Sequence, residues 1–304
     1  MVKRFKLSTS LILVFMILVT LVGCNPESSE DKRPVAKGFI WEATSSEGEV
    51  VTLVGTMHPA PNTHILLNDK LKEILNSSDI LTVEVDITLD SNMDKSNKSM
   101  YLDTGDTVEN YLSTDEITKL SEILKSYNVN IDKVKNYNSH VIAQLISNLV
   151  LGKINYNAGS TDTLLIIEAK KNKIEVDEIE SMDFQINLLK DLFDWETLKL
   201  MINEYDDEYV NEELEIATNL FNNYVNSDIE SAEKIEVLAR EKDGEAYNIV
   251  STERNKGMAD KIDELIKDGK KRVVAVGYRH YIGEDSVLDF LEEKGYTISK
   301  LEVQ

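Results

Sequence analysis

Val51-Thr52-Leu53-Val54-Gly55-Thr56-Met57-His58 is an apolar run ending in Gly-x-x-His, and Val273-Val274-Ala275-Val276-Gly277-Tyr278-Arg279-His280 repeats that pattern near the far end of the chain. Short apolar runs rich in valine and closed by turn-forming residues read as buried strands. In an α/β sheet, ligand chemistry gathers just beyond the carboxyl ends of the strands, where a glycine lets the backbone turn and come close to a ligand. Two imidazoles from distant parts of the sequence are therefore expected over one edge of one sheet.

Outward from the first run, residues 39–43 and 50–54 flank Ser45-Ser46-Glu47-Gly48 and predict a hairpin. Leu71, Ile74 and Leu75 give a short helix. Residues 80–85 give a third strand, with Glu84 and Asp86 at its carboxyl end. Residues 86–106 are polar and read as a loop. Ser113-Thr114-Asp115-Glu116 is a capping box opening a helix whose apolar face is Ile117, Leu120, Ile123 and Leu124. From 139 to 239 the pattern is mostly helical, interrupted by a strand at 174–179. A long amphipathic helix through Val250, Met258, Ile262 and Leu265 leads to a strand at 272–276, a helix at 286–294 and a last strand at 296–301. The fold class is α/β (α+β), a central mixed sheet built from N- and C-terminal strands with a mostly helical middle.

The first residues carry Lys3, Arg4 and Lys6, followed by an apolar run from Leu11 to Leu21. That run is too short for a spanning helix and has the form of a signal-peptide core. It ends at Leu21-Val22-Gly23-Cys24, which resembles a lipobox, and Cys24 is the single cysteine. The expected organisation is a lipoprotein signal peptide at 1–23, a lipidated Cys24, a polar tether at 24–37 and a folded domain at 38–304. The expected location is the extracytoplasmic face of the cell membrane, through the lipid. A formal net charge of −22, more negative still without the leader, disfavours nucleic acid as a partner. One cysteine excludes a disulfide framework and a thiolate metal site.

Only four histidines are present, and two of them occupy the Gly-x-x-His motifs. His58 and His280, with Glu84 on the third strand, form a plausible set for a divalent ion such as Zn²⁺, Mn²⁺ or Co²⁺. His64, in a loop rich in Pro and Asn, and His140, at a helix start, read as structural, with His64 in reserve because it lies near His58.

Trp41-Glu42, the strand ending at His58, the segment from Ser78 to Asp86, Arg254-Asn255 and Val276-Gly277-Tyr278-Arg279-His280-Tyr281-Ile282-Gly283 together resemble the TraB/GumN family. That family includes pheromone-shutdown proteins and is related to the Tiki metalloproteases. The likeness runs from about residue 39 to 302 and is looser in the middle, at Gly159 to Asp162, Ala169, Glu180 and Gln185. It implies a centre on His58, His280 and Glu84, supported by Arg254, Asn255, Glu180 and Gln185. Here Tyr278 and Arg279 stand where small residues are common, so they are expected to narrow a substrate pocket or put positive charge at its rim. Ser160-Thr161 lengthens a Gly-x-Asp-like stretch, which weakens the correspondence at Asp162.

Two functions fit these residues. One is a metal-dependent hydrolase of peptide or protein substrates, with Glu84 either binding the ion or taking a proton. The other is a non-catalytic surface protein that binds or sequesters a peptide. Serine and cysteine mechanisms are set aside, because there is no Gly-x-Ser-x-Gly elbow and Cys24 is the lipid site. Cys24→Ser is expected to release the protein from membranes or block its maturation, read by fractionating cells; a cleaved variant that stayed fully in the membrane fraction would rule the lipobox out.

Overall fold

The computed structural model describes residues 32–156 and 159–302. The leader and Cys24 lie outside the described residues. In chain order the elements are β1 (Phe39–Thr44), β2 (Val50–Thr56), α1 (Asp69–Asn76), β3 (Ile80–Val83), α2 (Asp90–Ser99), α3 (Thr114–Ser126), α4 (Ser139–Gly152), α5 (Thr161–Lys171) and β4 (Glu175–Glu178). They continue as α6 (Met182–Leu192), α7 (Trp195–Glu204), α8 (Asp207–Asn226), α9 (Ile229–Lys242), α10 (Gly244–Tyr247), α11 (Glu253–Leu265), β5 (Arg272–Gly277), α12 (Val287–Glu293) and β6 (Thr297–Lys300).

The chain forms two compact units. One contains residues 32–87, Asn155–Ser181 and 218–302, and the other contains Thr88–Ile154 and Met182–Ala217. The first holds the whole sheet, in the order β4-β3-β5-β2-β1-β6. Strands β4, β3, β5 and β2 run parallel, while β1 is antiparallel to β2 and β6 antiparallel to β1. The sheet is thus mixed and joins N- and C-terminal strands, as the sequence pattern predicts.

Its central strands are buried on both faces, as parallel strands usually are. On one face Ile40, Val54, Leu81, Val83, Val273 and Ala275 pack with Leu71 and Leu75 of α1 and with Leu165, Ile166 and Ala169 of α5. Phe39 stacks on Trp41 and on Tyr278, at centroid distances of 5.7 and 5.0 Å, and Trp41 meets Tyr281 at 5.3 Å. Among the described residues no helix is long and apolar enough to cross a membrane.

Three expectations need correction. Residues 86–106 contain helix α2, whose sequence DSNMDKSNKS buries only Asn92 and so carries no apolar periodicity; within its unit Lys95 pairs with Asp183 of α6 at 2.7 Å. The long helix through Val250 is interrupted by a π-type turn at Asn248–Thr252 before α11 begins. Finally, residues 34–37, expected to belong to a polar tether, are held by backbone hydrogen bonds. The Pro34 carbonyl accepts from Ile65, Ala36 donates to Ile65 and Lys37 to Val225, and Ala36 is fully buried.

Of the two glycines in the sheet strands, Gly55 is the more tightly packed. A Cβ there would lie 2.6 Å from Cβ and 3.0 Å from Cα of Tyr278, and 3.1 Å from Cβ of Phe39. Neither backbone nor stacked ring can yield cheaply, so Gly55→Ala is expected to destabilise the chain by about 1–3 kcal/mol. Urea unfolding followed by circular dichroism measures this; an unchanged midpoint would show that the contact relaxes freely.

Candidate functional site

The four parallel strands end on the same side of the sheet, and each delivers a polar group there. Glu180 follows β4, Glu84 follows β3, Gly277 ends β5 with His280 just after it, and Thr56 ends β2 with His58 just after it. All lie within the unit that holds the sheet.

Arg254 binds the first two together. Its Nε and Nη2 donate to the two carboxylate oxygens of Glu180, both at 2.7 Å, and Nη2 also donates to Glu84 Oε2 at 2.9 Å. The π-type turn just before α11 brings this side chain inward, and Arg254 Nη1 donates at 3.3 Å to the Val250 carbonyl within that turn. Such turns recur at functional sites because they offset a helix face by one residue. The other oxygen of Glu84 accepts from the Gly277 N–H at 2.7 Å, which fixes the carboxylate across two neighbouring strands. A Cβ on Gly277 would lie 3.3 Å from that oxygen, a tight contact that would press on Glu84.

Each imidazole is held through Nδ1. His58 Nδ1 lies 2.7 Å from Asp162 Oδ2, and Asp162 Oδ1 accepts from Thr56 Oγ1 at 2.6 Å. A carboxylate can only accept, so His58 Nδ1 carries hydrogen. Asp162 reaches this position because Ala60 donates to the Gly159 carbonyl and Thr161 to that of Met57, which brings the first turn of α5 beside His58. His280 Nδ1 lies 2.6 Å from Asn255 Oδ1, and Asn255 Nδ2 donates to the Asp285 carbonyl at 2.8 Å. The carbonyl fixes the amide orientation, and the amide oxygen then requires hydrogen on His280 Nδ1. In neutral form both rings therefore offer the Nε2 lone pair. His280 Nε2 is 3.9 Å from Glu84 Oε1.

The two histidines differ in charge. Burial alone would lower the His58 pKa, but the Asp162 carboxylate outweighs it and raises the value to about 9. Burial, reinforced by the Arg254 guanidinium, holds His280 well below its usual value and keeps it neutral.

Among the described residues no set of three His, Cys, Asp or Glu side chains is placed to hold a metal ion. The donor chemistry still fits one. A metal-ligating histidine commonly donates its second ring N–H to a carboxylate or carbonyl oxygen, which is how Asp162 and Asn255 treat these two rings.

The chain matches the TraB/PrgY/gumN family over residues 39–300. It belongs to that family. No match is found among curated proteins or solved structures.

In this family member His58, Glu84, His280, Arg254, Asn255 and Glu180 come together, while Gln185 belongs to the other unit. Asn255 has both ends of its amide engaged in holding His280 and the Asp285 carbonyl, not in facing a pocket. Tyr278 is buried beneath Gly55, with its hydroxyl on the Leu220 carbonyl. Arg279 is paired with Glu236 at 2.5 and 3.1 Å, so its charge is balanced locally and is not an open positive rim. Asp86 is buried and paired with Lys170 at 2.8 Å. His64 packs edge-on against Phe221. His140 lies buried in the other unit, where burial pushes its pKa down to about 4. Asp162, which the resemblance implies only weakly, takes a full place in the site, and Thr56 is the residue the sequence did not single out.

The His58–Asp162 pair makes stability depend on pH. The folded pKa is raised from 6.5 to about 9, so the pair stabilises fully below pH 6.5, and this contribution is lost as pH rises through about 9. Asp162→Asn is expected to remove that dependence. Melting temperatures measured between these limits should fall more for the native chain than for the variant; parallel curves would show that the pair contributes nothing.

Proposed function

We propose that this chain is a membrane-anchored, extracytoplasmic, metal-dependent hydrolase of peptides, working through His58, His280 and Glu84. The observation that carries the reading is the placement of two imidazoles at the carboxyl ends of adjacent parallel strands, each held through Nδ1 beside a fixed carboxylate: neutral His280 offers Nε2 directly, and His58, which Asp162 keeps protonated, offers Nε2 when a bound ion displaces its second proton.

His58 and His280 would hold the ion through Nε2, with Glu84 as third ligand or as the group that takes a proton from the attacking water. A divalent ion bound there supplies Lewis-acid polarisation of the scissile carbonyl and of a water molecule. Asp162 and Asn255 keep the rings aimed. Arg254 holds Glu84 in place through Nη2 and prevents it from turning away, while Glu180 balances the guanidinium. The lipid at Cys24 would keep the domain at the membrane surface, and a peptide or protein outside that membrane is the substrate class. One observation favours the alternative, a non-catalytic peptide-binding protein: both oxygens of Glu84 are already engaged, by Arg254 and by the Gly277 amide.

The test is metal content of the purified chain, followed by mass spectrometry of a peptide mixture incubated with it. About one bound divalent ion and chelator-sensitive peptide cleavage are expected. His58→Ala and His280→Ala should each lose the ion and at least ~100-fold of the cleavage rate, with native circular dichroism, while His140→Ala retains both. Peptide binding without cleavage, by a chain that holds no metal, would replace this reading with the alternative.

A further inference from the structure

Helix α9 grips the loop that carries His280 on both sides. Glu236 and Arg240 lie one turn apart on it. Glu236 holds Arg279, the residue before His280, through both carboxylate oxygens. Arg240 holds the other flank: Nη2 donates to the Glu284 carbonyl at 2.7 Å and to Asp285 Oδ2 at 2.9 Å, and Nη1 donates to Glu284 Oε2 at 3.1 Å. The guanidinium also lies over the Tyr247 ring, 5.0 Å from its centroid.

Between these anchors the backbone takes an unusual course. Gly283 has φ +80° and Asp285 has φ +59°, a left-handed conformation that side chains other than Asn and Asp seldom adopt. Gly283 packs on α9, where an added Cβ would meet Glu236 Cβ at 3.4 Å. The loop thus presents the Asp285 carbonyl to Asn255, and this carbonyl decides which way the Asn255 amide faces. The amide in turn decides which nitrogen of His280 bears hydrogen. The chain of contacts runs unbroken from Arg240 through Asp285 and Asn255 to His280, all within one unit.

We propose that Arg240 is a positioning residue for His280: by clamping the Gly283–Asp285 turn against α9 it fixes the Asp285 carbonyl, and so selects the tautomer that leaves His280 Nε2 open toward Glu84. The proposal rests on the reading of His280 as a working group of the site. Glu236 is the fixed anchor on the opposite flank, and Arg240 is the adjustable one, because it sits at the surface and can be changed without opening the core.

The experiment uses the metal-free chain labelled with ¹⁵N-histidine. Long-range ¹⁵N–¹H spectra separate rings protonated at Nδ1 from rings protonated at Nε2, and four histidines are few enough to assign by single substitutions. The native chain should show His280 protonated at Nδ1. Arg240→Ala, and the milder Arg240→Gln, should convert His280 to a mixture of tautomers, leave the His58 signals in place and weaken Zn²⁺ binding about 10–100-fold. Asn255→Leu provides the reference for complete loss of tautomer control. If both Arg240 variants fold and keep the native His280 pattern, the proposal is wrong whatever their Zn²⁺ affinity, and a merely stabilising role, seen as a lowered melting temperature alone, takes its place. A native chain with the expected pattern that binds no Zn²⁺ would instead sink the hydrolase reading and leave the clamp standing.

Discussion

Arg254 is buried, and its guanidinium is shared between two carboxylates that come from different strands. A charge taken out of water in this way is tolerable only when it is paired and hydrogen-bonded, and removing one partner typically costs about 3–5 kcal/mol. The arrangement therefore commits α11, β3 and β4 to one another, and through the Gly277 amide it commits β5 as well. The carboxylates of the site take their positions from this arrangement, whereas the two imidazoles are held separately by Asp162 and Asn255. Glu84 can be a fixed carboxylate because Arg254 and Gly277 hold it from two sides, and His280 remains neutral partly because the same guanidinium is near. An arginine that the family resemblance places in support of the centre is the group that ties Glu84 and Glu180 together.

The asymmetry between the histidines follows from their partners. A carboxylate beside His58 stabilises positive charge on the ring, whereas an amide beside His280 has no charge to offer and leaves burial to decide. Two motifs with the same spelling thus produce rings of different character. Nothing in Gly-x-x-His encodes this, because Asp162 and Asn255 lie far from the motifs in sequence and are brought in by tertiary structure.

That contrast marks what could be read from the residues alone. Val51–His58 and Val273–His280 were legible because strand, glycine and histidine are contiguous, and their convergence follows from the general rule that parallel strands present ligands at their carboxyl ends. The mixed sheet joining both ends of the chain was legible for the same reason. Helix α2 was not, since its residues are polar on every side. The pairing of Arg279 with Glu236 escaped because the acid sits 43 residues upstream on another helix. The fixing of Ala36 escaped because a polar stretch gives no sign that its backbone will be hydrogen-bonded to Ile65.

The strand order has one further consequence, for the timing of synthesis. β5 lies between β3 and β2, yet it is the second-last strand to leave the ribosome. Until it inserts, β3 and β2 have no shared neighbour, Glu84 has no amide to accept from, and His280 does not exist. Contacts of such long sequence separation form late and slowly. A nascent or prematurely terminated chain for that reason lacks half of the site, and His58, Glu84 and His280 can come together only as translation is completed.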